Sequence, residues 1–186
     1  MNVQPNLRMD KAAFLAWVQG REERYELAEG RVLMMTGGSR AHGQITANLF
    51  RALDTRLDPD RWMILSDFGI DLGPKTVRYP DIVVDSATDA PRDLAATAPV
   101  LIAEVLSPST ERFDLGDKAA EYLQLRSLAA YLVFAQDERK AWVWVRAPED
   151  FSPGPQVVTA QDAVIRIAAL GIDLPLADIY VRVKID

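Results

Sequence analysis

The stretch Pro99-Val100-Leu101-Ile102-Ala103-Glu104-Val105-Leu106 decides how this chain is read. Side chains alternate across a strand, so Val100, Ile102, Glu104 and Leu106 share one face and Leu101, Ala103 and Val105 the other. Both faces are otherwise apolar, the mark of a central strand covered on two sides. Glu104 is therefore an acid embedded in a core strand. An ionised carboxylate without partners is strongly disfavoured there, and the remedies are a shifted pKa, a cation or polar neighbours. The preceding run, Val77-Arg78-Tyr79-Pro80-Asp81-Ile82-Val83-Val84, repeats the anomaly at Asp81. Pro80 cannot donate to a ladder and marks a strand edge, start or bulge, which re-aims the next side chain. Neighbouring strands lie about 4.8 Å apart. Asp81 and Glu104 on such strands would approach to about 5 Å and repel by about 3 kcal/mol at an effective dielectric near 20. A divalent cation between them reverses that sign, and oxygen-only ligation suits magnesium or manganese. Arginine or backbone partners for each acid are the structural alternative.

Working outward, residues 114–126 suit a helix with Asp114 as N-cap. Asp114, Lys118 and Tyr122 fall on one face, and spacing alone reads Asp114–Lys118 as a surface i,i+4 pair. Ser107-Pro108-Ser109-Thr110 reads as strand-end and capping chemistry. Residues 130–136 and 140–146 form a hairpin, with Trp142 and Trp144 as sheet surface or a partner contact, and residues 156–183 close the chain as strand or turn. Upstream, 62–72 reads as one strand and 85–98 as a loop. Residues 40–57 form an amphipathic helix with Ser39 as N-cap and Ile45, Leu49, Leu53 and Leu57 at helical spacing. His42 on that stripe reads most simply as a hydrogen-bonded structural residue. Residues 24–35 form a hairpin turning at Glu29-Gly30, where Glu26 reads as a solvated strand acid, and Asp10 caps a short helix at 10–18. Helices interspersed among strands predict an α/β layered fold.

The 186 residues fit a single domain over 1–186, and 49% hydrophobic with 26% charged residues is globular. There is no cysteine and one histidine, which removes thiolate catalysis, cysteine-ligated metals and histidine-rich zinc sites. Phosphate-loop, dinucleotide and G-x-S-x-G motifs are absent. Chemistry must come from carboxylates, hydroxyls, Lys and Arg, most simply with a hard cation. A net charge of −6 without a dense basic patch indicates no strong nonspecific hold on nucleic acid. No apolar run reaches the ~20 residues of a membrane span and the N-terminus lacks a signal-peptide core, so the expectation is a cytoplasmic protein with no membrane partner.

Tyr25-Glu26-Leu27…Gly30, His42-x-x-Ile45-x-x-x-Leu49, Arg78-Tyr79-Pro80-Asp81-Ile82-Val83-Val84, Glu104-Val105-Leu106-Ser107-Pro108-Ser109-Thr110 and Asp114-x-x-x-Lys118-x-x-x-Tyr122, in that order, resemble the Uma-two family of restriction-endonuclease-like proteins in the PD-(D/E)XK nuclease superfamily. The resemblance implies a restriction-endonuclease-like core: a central mixed β-sheet flanked by helices (α-β-β-β-α-β), with an N-terminal helix and hairpin and a C-terminal strand extension. It implies a Mg2+- or Mn2+-dependent endonuclease acting on DNA, with Asp81 and Glu104 as metal ligands. The chain departs from the superfamily at Leu106, where a lysine is expected, and Lys118 on the following helix is the replacement. Glu26 and His42 match positions lining the same pocket, which completes the expected catalytic set. The acidic balance is the objection; a homodimer clustering Arg40, Arg51, Arg78, Arg112 and Lys118 around one cleft would answer it. The alternatives are a nuclease-fold binding module without turnover, and a metal-dependent hydrolase of another phosphoester.

Overall fold

The computed structural model describes residues 2–35, 37–87, 92–107, 113–160 and 162–185. A strand the sequence reading lacked, β1 (Asn2–Arg8), precedes α1 (Lys11–Val18), which Asp10 caps by accepting the Ala13 N–H at 2.8 Å. The hairpin β2 (Tyr25–Ala28) and β3 (Arg31–Met34) turns where expected: Glu29 and Gly30 both have positive φ (49° and 76°), the geometry of a two-residue hairpin loop. Ser39 accepts the His42 N–H at 3.1 Å and starts α2 (Arg40–Asp54).

Two expected strands are each broken in two. Residues 62–72 form β4 (Trp62–Ser66) and β5 (Gly69–Asp71), parted at Asp67, which sits in the left-handed region at φ 52°. Residues 77–84 form β6 (Val77–Arg78) and β7 (Ile82–Ser86), parted at Tyr79-Pro80-Asp81, where proline withdraws a ladder donor. Each half pairs in a different sheet. Beyond them, β8 (Ala95–Ala96) occupies part of the expected loop, and β9 (Leu101–Val105) is the anticipated core strand. The expected helix at 114–126 is a π-helical turn (Phe113–Asp117) running into a short α3 (Lys118–Tyr122). The hairpin β10 (Ala130–Phe134) and β11 (Ala141–Val145) follows, then β12 (Gln156–Val158), β13 (Val164–Ile167), β14 (Ile172–Pro175) and α4 (Leu176–Ile179).

One sheet runs β1-β3-β2-β6-β5-β8, the other β12-β11-β10-β9-β7-β4, and β13-β14 stand as a hairpin. In the second sheet β9 pairs parallel with β10 and antiparallel with β7, so the sheet is mixed and β9 is central. The alternation read from the sequence holds. Leu101, Ala103 and Val105 bury against Ile45, Leu49 and Leu53 of α2, while Ile102, Leu106 and Val83 bury against Ala119 and Tyr122 of α3. Helices thus cover both faces of this sheet, and the register that pairs Ile82 with Ala103 sets Asp81 opposite Glu104 one step further on.

Candidate active site

Glu26, His42, Asp81, Glu104 and Lys118, dispersed over more than ninety positions, meet at one end of β9. Lys118, the first residue of α3, extends its ammonium into a buried cluster of acids. Nζ lies 2.9 Å from Glu104 Oε1, 3.0 Å from Asp114 Oδ1 and 3.5 Å from Glu26 Oε1. The surface-pair reading of Asp114 and Lys118 is corrected here, since both are nearly inaccessible. Asp114 is no exposed N-cap. The π turn carries it inward, and the Tyr131 hydroxyl donates to its carbonyl oxygen at 2.9 Å, holding the turn open at a point where α-helical bonding lapses. Tyr122, on the same face, donates to Glu104 Oε1 at 3.3 Å. The shared face of Asp114, Lys118 and Tyr122 was visible in the sequence; that it faces inward was not.

Glu26 is completely buried, not solvated. Its Oε1 accepts the Tyr79 N–H at 3.1 Å and its Oε2 accepts from Arg78 at 3.3 Å. Arg78 in turn donates from Nε and Nη2 to both oxygens of Glu121, at 2.8 Å each, in a bidentate clamp. Arg78 therefore faces no cleft, contrary to the expected basic cluster. Arg112, Pro108, Ser109 and Thr110 lie outside the described residues. Of the tryptophans, Trp144 is buried and stacked on Tyr131 rather than presented as surface. Glu121 belongs to this network, but nothing in the local sequence pointed to it.

Asp81 Oδ1 lies 3.0 Å from His42 Nε2, and its Oδ2 accepts the Val105 N–H at 2.7 Å. His42 reaches Asp81 because it extends the Ile45/Leu49 stripe of α2 by one turn beyond the core. Gly38 lets it do so: a Cβ there would sit 2.7 Å from the imidazole Cδ2. These groups line a cleft of about 60 Å3 together with Arg24, while Glu26 stands behind Lys118.

Three carboxylates of this cleft (Asp81, Glu104, Asp114) face one buried ammonium, a surplus of two negative charges when all are ionised. Burial pushes Glu104 well above the usual carboxylate range; Lys118 opposes that shift, and the neighbouring acids add to it. Burial also raises Asp81, partly offset by His42 and the Val105 N–H. For Lys118 burial acts downward, but Glu104, Glu26 and Asp114 outweigh it and hold the ammonium well above an ordinary lysine. Among the described residues, Asp114 Oδ1 is buried with no hydrogen bond of correct geometry, though it ion-pairs with Lys118 at 3.0 Å, and the buried His42 Nδ1 has no partner.

A divalent cation fits the charge and the oxygen donor set of Asp81 and Glu104. Among the described residues no three His, Cys, Asp or Glu side chains are grouped at metal-ligand spacing. Protein ligation would then rest on two carboxylates, with water or substrate supplying the remainder, the mode magnesium prefers.

A mixed sheet covered by helices on both faces, with paired acids and a lysine gathered at the end of its central strand, places the chain in the restriction-endonuclease-like class. The chain belongs to the Uma2 family, described as "Putative restriction endonuclease", whose profile matches residues 12–177. Two Synechocystis relatives are the uncharacterized proteins slr1290, 33% identical over 69% of this chain and 70% of its own length, and sll1609, 31% identical over 67% and 73%. A solved structure from Anabaena variabilis, described as a "putative nuclease", superposes with a TM-score of 0.77 over 95% of this chain and 99% of its own, at 17% identity. At that identity the likeness is one of fold. Among the described residues no helix is long and apolar enough to cross a membrane.

Proposed function

We propose that this chain is a divalent-metal-dependent endonuclease hydrolysing DNA phosphodiester bonds, with Asp81 and Glu104 holding Mg2+ or Mn2+. The observation that carries this reading is the charge surplus at the junction of β7 and β9, with Lys118 2.9 Å from Glu104. A bound cation would supply Lewis-acid activation of the phosphoryl group and a more acidic water. Lys118 supplies a fixed positive charge where negative charge develops on the phosphate. His42 orients Asp81 through Nε2, which lies 3.0 Å from Asp81 Oδ1. Glu26 is a positioning residue, because both its oxygens are engaged by Tyr79 and Arg78 beneath Lys118.

The test is nicking of supercoiled plasmid in Mg2+ or Mn2+ by the wild type, Asp81→Asn and Lys118→Met, with Mn2+ titrated calorimetrically into each. Nicking by the wild type and its loss in both variants is the expected result. One observation favours a second reading, a binding module without turnover: Lys118 already neutralises part of Glu104, and no three-ligand group is preformed among the described residues. That reading predicts neither Mn2+ binding nor nicking. Mn2+ binding without nicking would redirect the assignment to another phosphoester.

A further inference from the structure

Although the chain is acidic, the first turn of α2 and the C-terminal segment gather three cations that have no acid beside them among the described residues. Arg40, Arg182 and Lys184 line a cleft of about 530 Å3 with Ser39 and Gln44, and among the described residues no carboxylate lines it. All three are exposed, and among the described residues none of their charged groups takes part in an ion pair or side-chain hydrogen bond. This placement is built. The buried Asn48 of α2 donates from Nδ2 to the carbonyls of Ile179 and Val181, at 2.9 and 2.8 Å, and so pins the C-terminal segment along the helix. Immediately after that clamp Arg182 adopts φ 60°, a left-handed conformation that is unfavourable for a residue with a long side chain and that the clamp sustains.

The cleft is not isolated. Ser39 is also part of a neighbouring groove of about 490 Å3 lined by His42, Thr46, Phe50 and Asp81. Around the first turn of α2, the acidic pocket and the groove share Arg24, Gly38, His42 and Asp81, and the groove and the basic cleft share Ser39. Like charges placed together without counter-charges, in a chain of net charge −6, form a local anion-attracting field.

We infer that this cleft is a second phosphate-binding site, which takes the DNA backbone to one side of the scissile bond while the groove carries the intervening nucleotides. The inference rests on the endonuclease reading but concerns binding, which needs no turnover. Each phosphate contact contributes about 0.9 to the slope of log K against log salt on duplex DNA, worth about tenfold in affinity near 50 mM salt.

The experiment is fluorescence anisotropy of a labelled 20-base-pair duplex in EDTA across a salt series. Compared are the full-length wild type, Lys184→Gln, the double variant Arg182→Glu/Lys184→Glu, and Arg166→Glu, an exposed charge reversal on the β13-β14 hairpin. Lys184→Gln is expected to weaken binding about tenfold and lower the slope by about one, and the double variant to do at least twice that on the logarithmic scale. Arg166→Glu is expected to stay near wild type. A wild type that binds no duplex, a double variant with wild-type affinity and slope, or an Arg166→Glu variant weakened as much as the double variant would each overturn the proposal. Intact binding with no nicking in Mg2+ or Mn2+ would sink the endonuclease reading and leave this site standing.

Discussion

At Asp81, burial and ion pairing pull in opposite directions. Loss of water favours the neutral acid, while His42 and the Val105 N–H favour the anion, and burial prevails. The native state therefore keeps this proton to a higher pH than the unfolded chain does. Above the ordinary carboxylate value of about 4 the folded form binds more protons, so stability falls as pH rises through the window up to the raised native value. Glu104 acts in the same direction. Urea midpoints measured in EDTA across pH, from the ordinary carboxylate value of about 4 upward, should decline for the wild type through the window in which the raised acids lose their protons. The decline should be less steep for Asp81→Asn, which has no proton to release. An unchanged decline in the variant would refute this account. Asp81 and Glu104 were legible in the sequence because a lone acid in an apolar run stands out against its neighbours. Glu26 was not, since a four-residue hairpin strand gives no sign of which face is covered. Arg24 was also missed. It lines the acidic cleft and the groove, paired to Asp67 with both side chains about half exposed (50% and 48%). Such a pair is weak. Asp67→Asn should therefore tighten duplex binding in the same anisotropy assay by freeing Arg24, and Arg24→Ala should loosen it.

At the scale of elements, the site is held by the way α2 and α3 are fastened to the sheets. Glu121 lies three residues after Lys118 and is gripped by Arg78 of β6, so the clamp fixes the helix that presents the ammonium. Arg78→Met would take the guanidinium from both Glu26 and Glu121 and leave Glu26, among the described residues, only the Lys118 cation at 3.5 Å. Breaking a buried pair in this way costs about 3–5 kcal/mol, to be read from chemical denaturation. Arg78→Lys should recover only part of that, because an ammonium cannot serve both oxygens of Glu121 in the same fork. On the other side, Gly38→Ala would drive a methyl into the His42 ring. Displacing His42 from Asp81 by about an ångström should lower nicking by about a hundredfold while leaving the far-ultraviolet dichroism unchanged. The stripe of α2 and the alternation of β9 were readable because each repeats over many residues. The break at Asp67 and the π turn at Phe113–Asp117 were not, and Pro80 marked a strand edge, start or bulge without showing that the two halves join different sheets. Each is a one- to five-residue event decided by which sheet or hydroxyl lies nearby, and only Pro80 announces itself locally.

For the molecule as a whole, the electrostatic problem of the proposed reaction is an excess of negative charge concentrated where an anionic substrate would approach. Binding of a divalent cation to the folded form alone stabilises it by about 2.7 kcal/mol at a hundredfold excess over its Kd. For a chain of this length that corresponds to a thermal midpoint raised by about 5–10 °C. Differential scanning fluorimetry in EDTA and in saturating Mn2+ should show that rise in the wild type and lose most of it in Asp81→Asn. Fold class was accessible at this scale, because the central strand and its two coverings depend on hydrophobic pattern alone. The grouping of Arg40 with Arg182 and Lys184 joins residues more than 140 positions apart, a distance no periodicity spans.

The buried ion-pair network behind the pocket straddles a border, with Glu26 and Arg78 on one sheet and Glu104 on the other, and with the chain crossing between them at Asp67 and at Pro80. It is in that sense a joint. A shear of one slab against its companion would alter the spacing around Lys118 while leaving the packing inside either slab intact, and a ligand gripping both slabs would stiffen the two together.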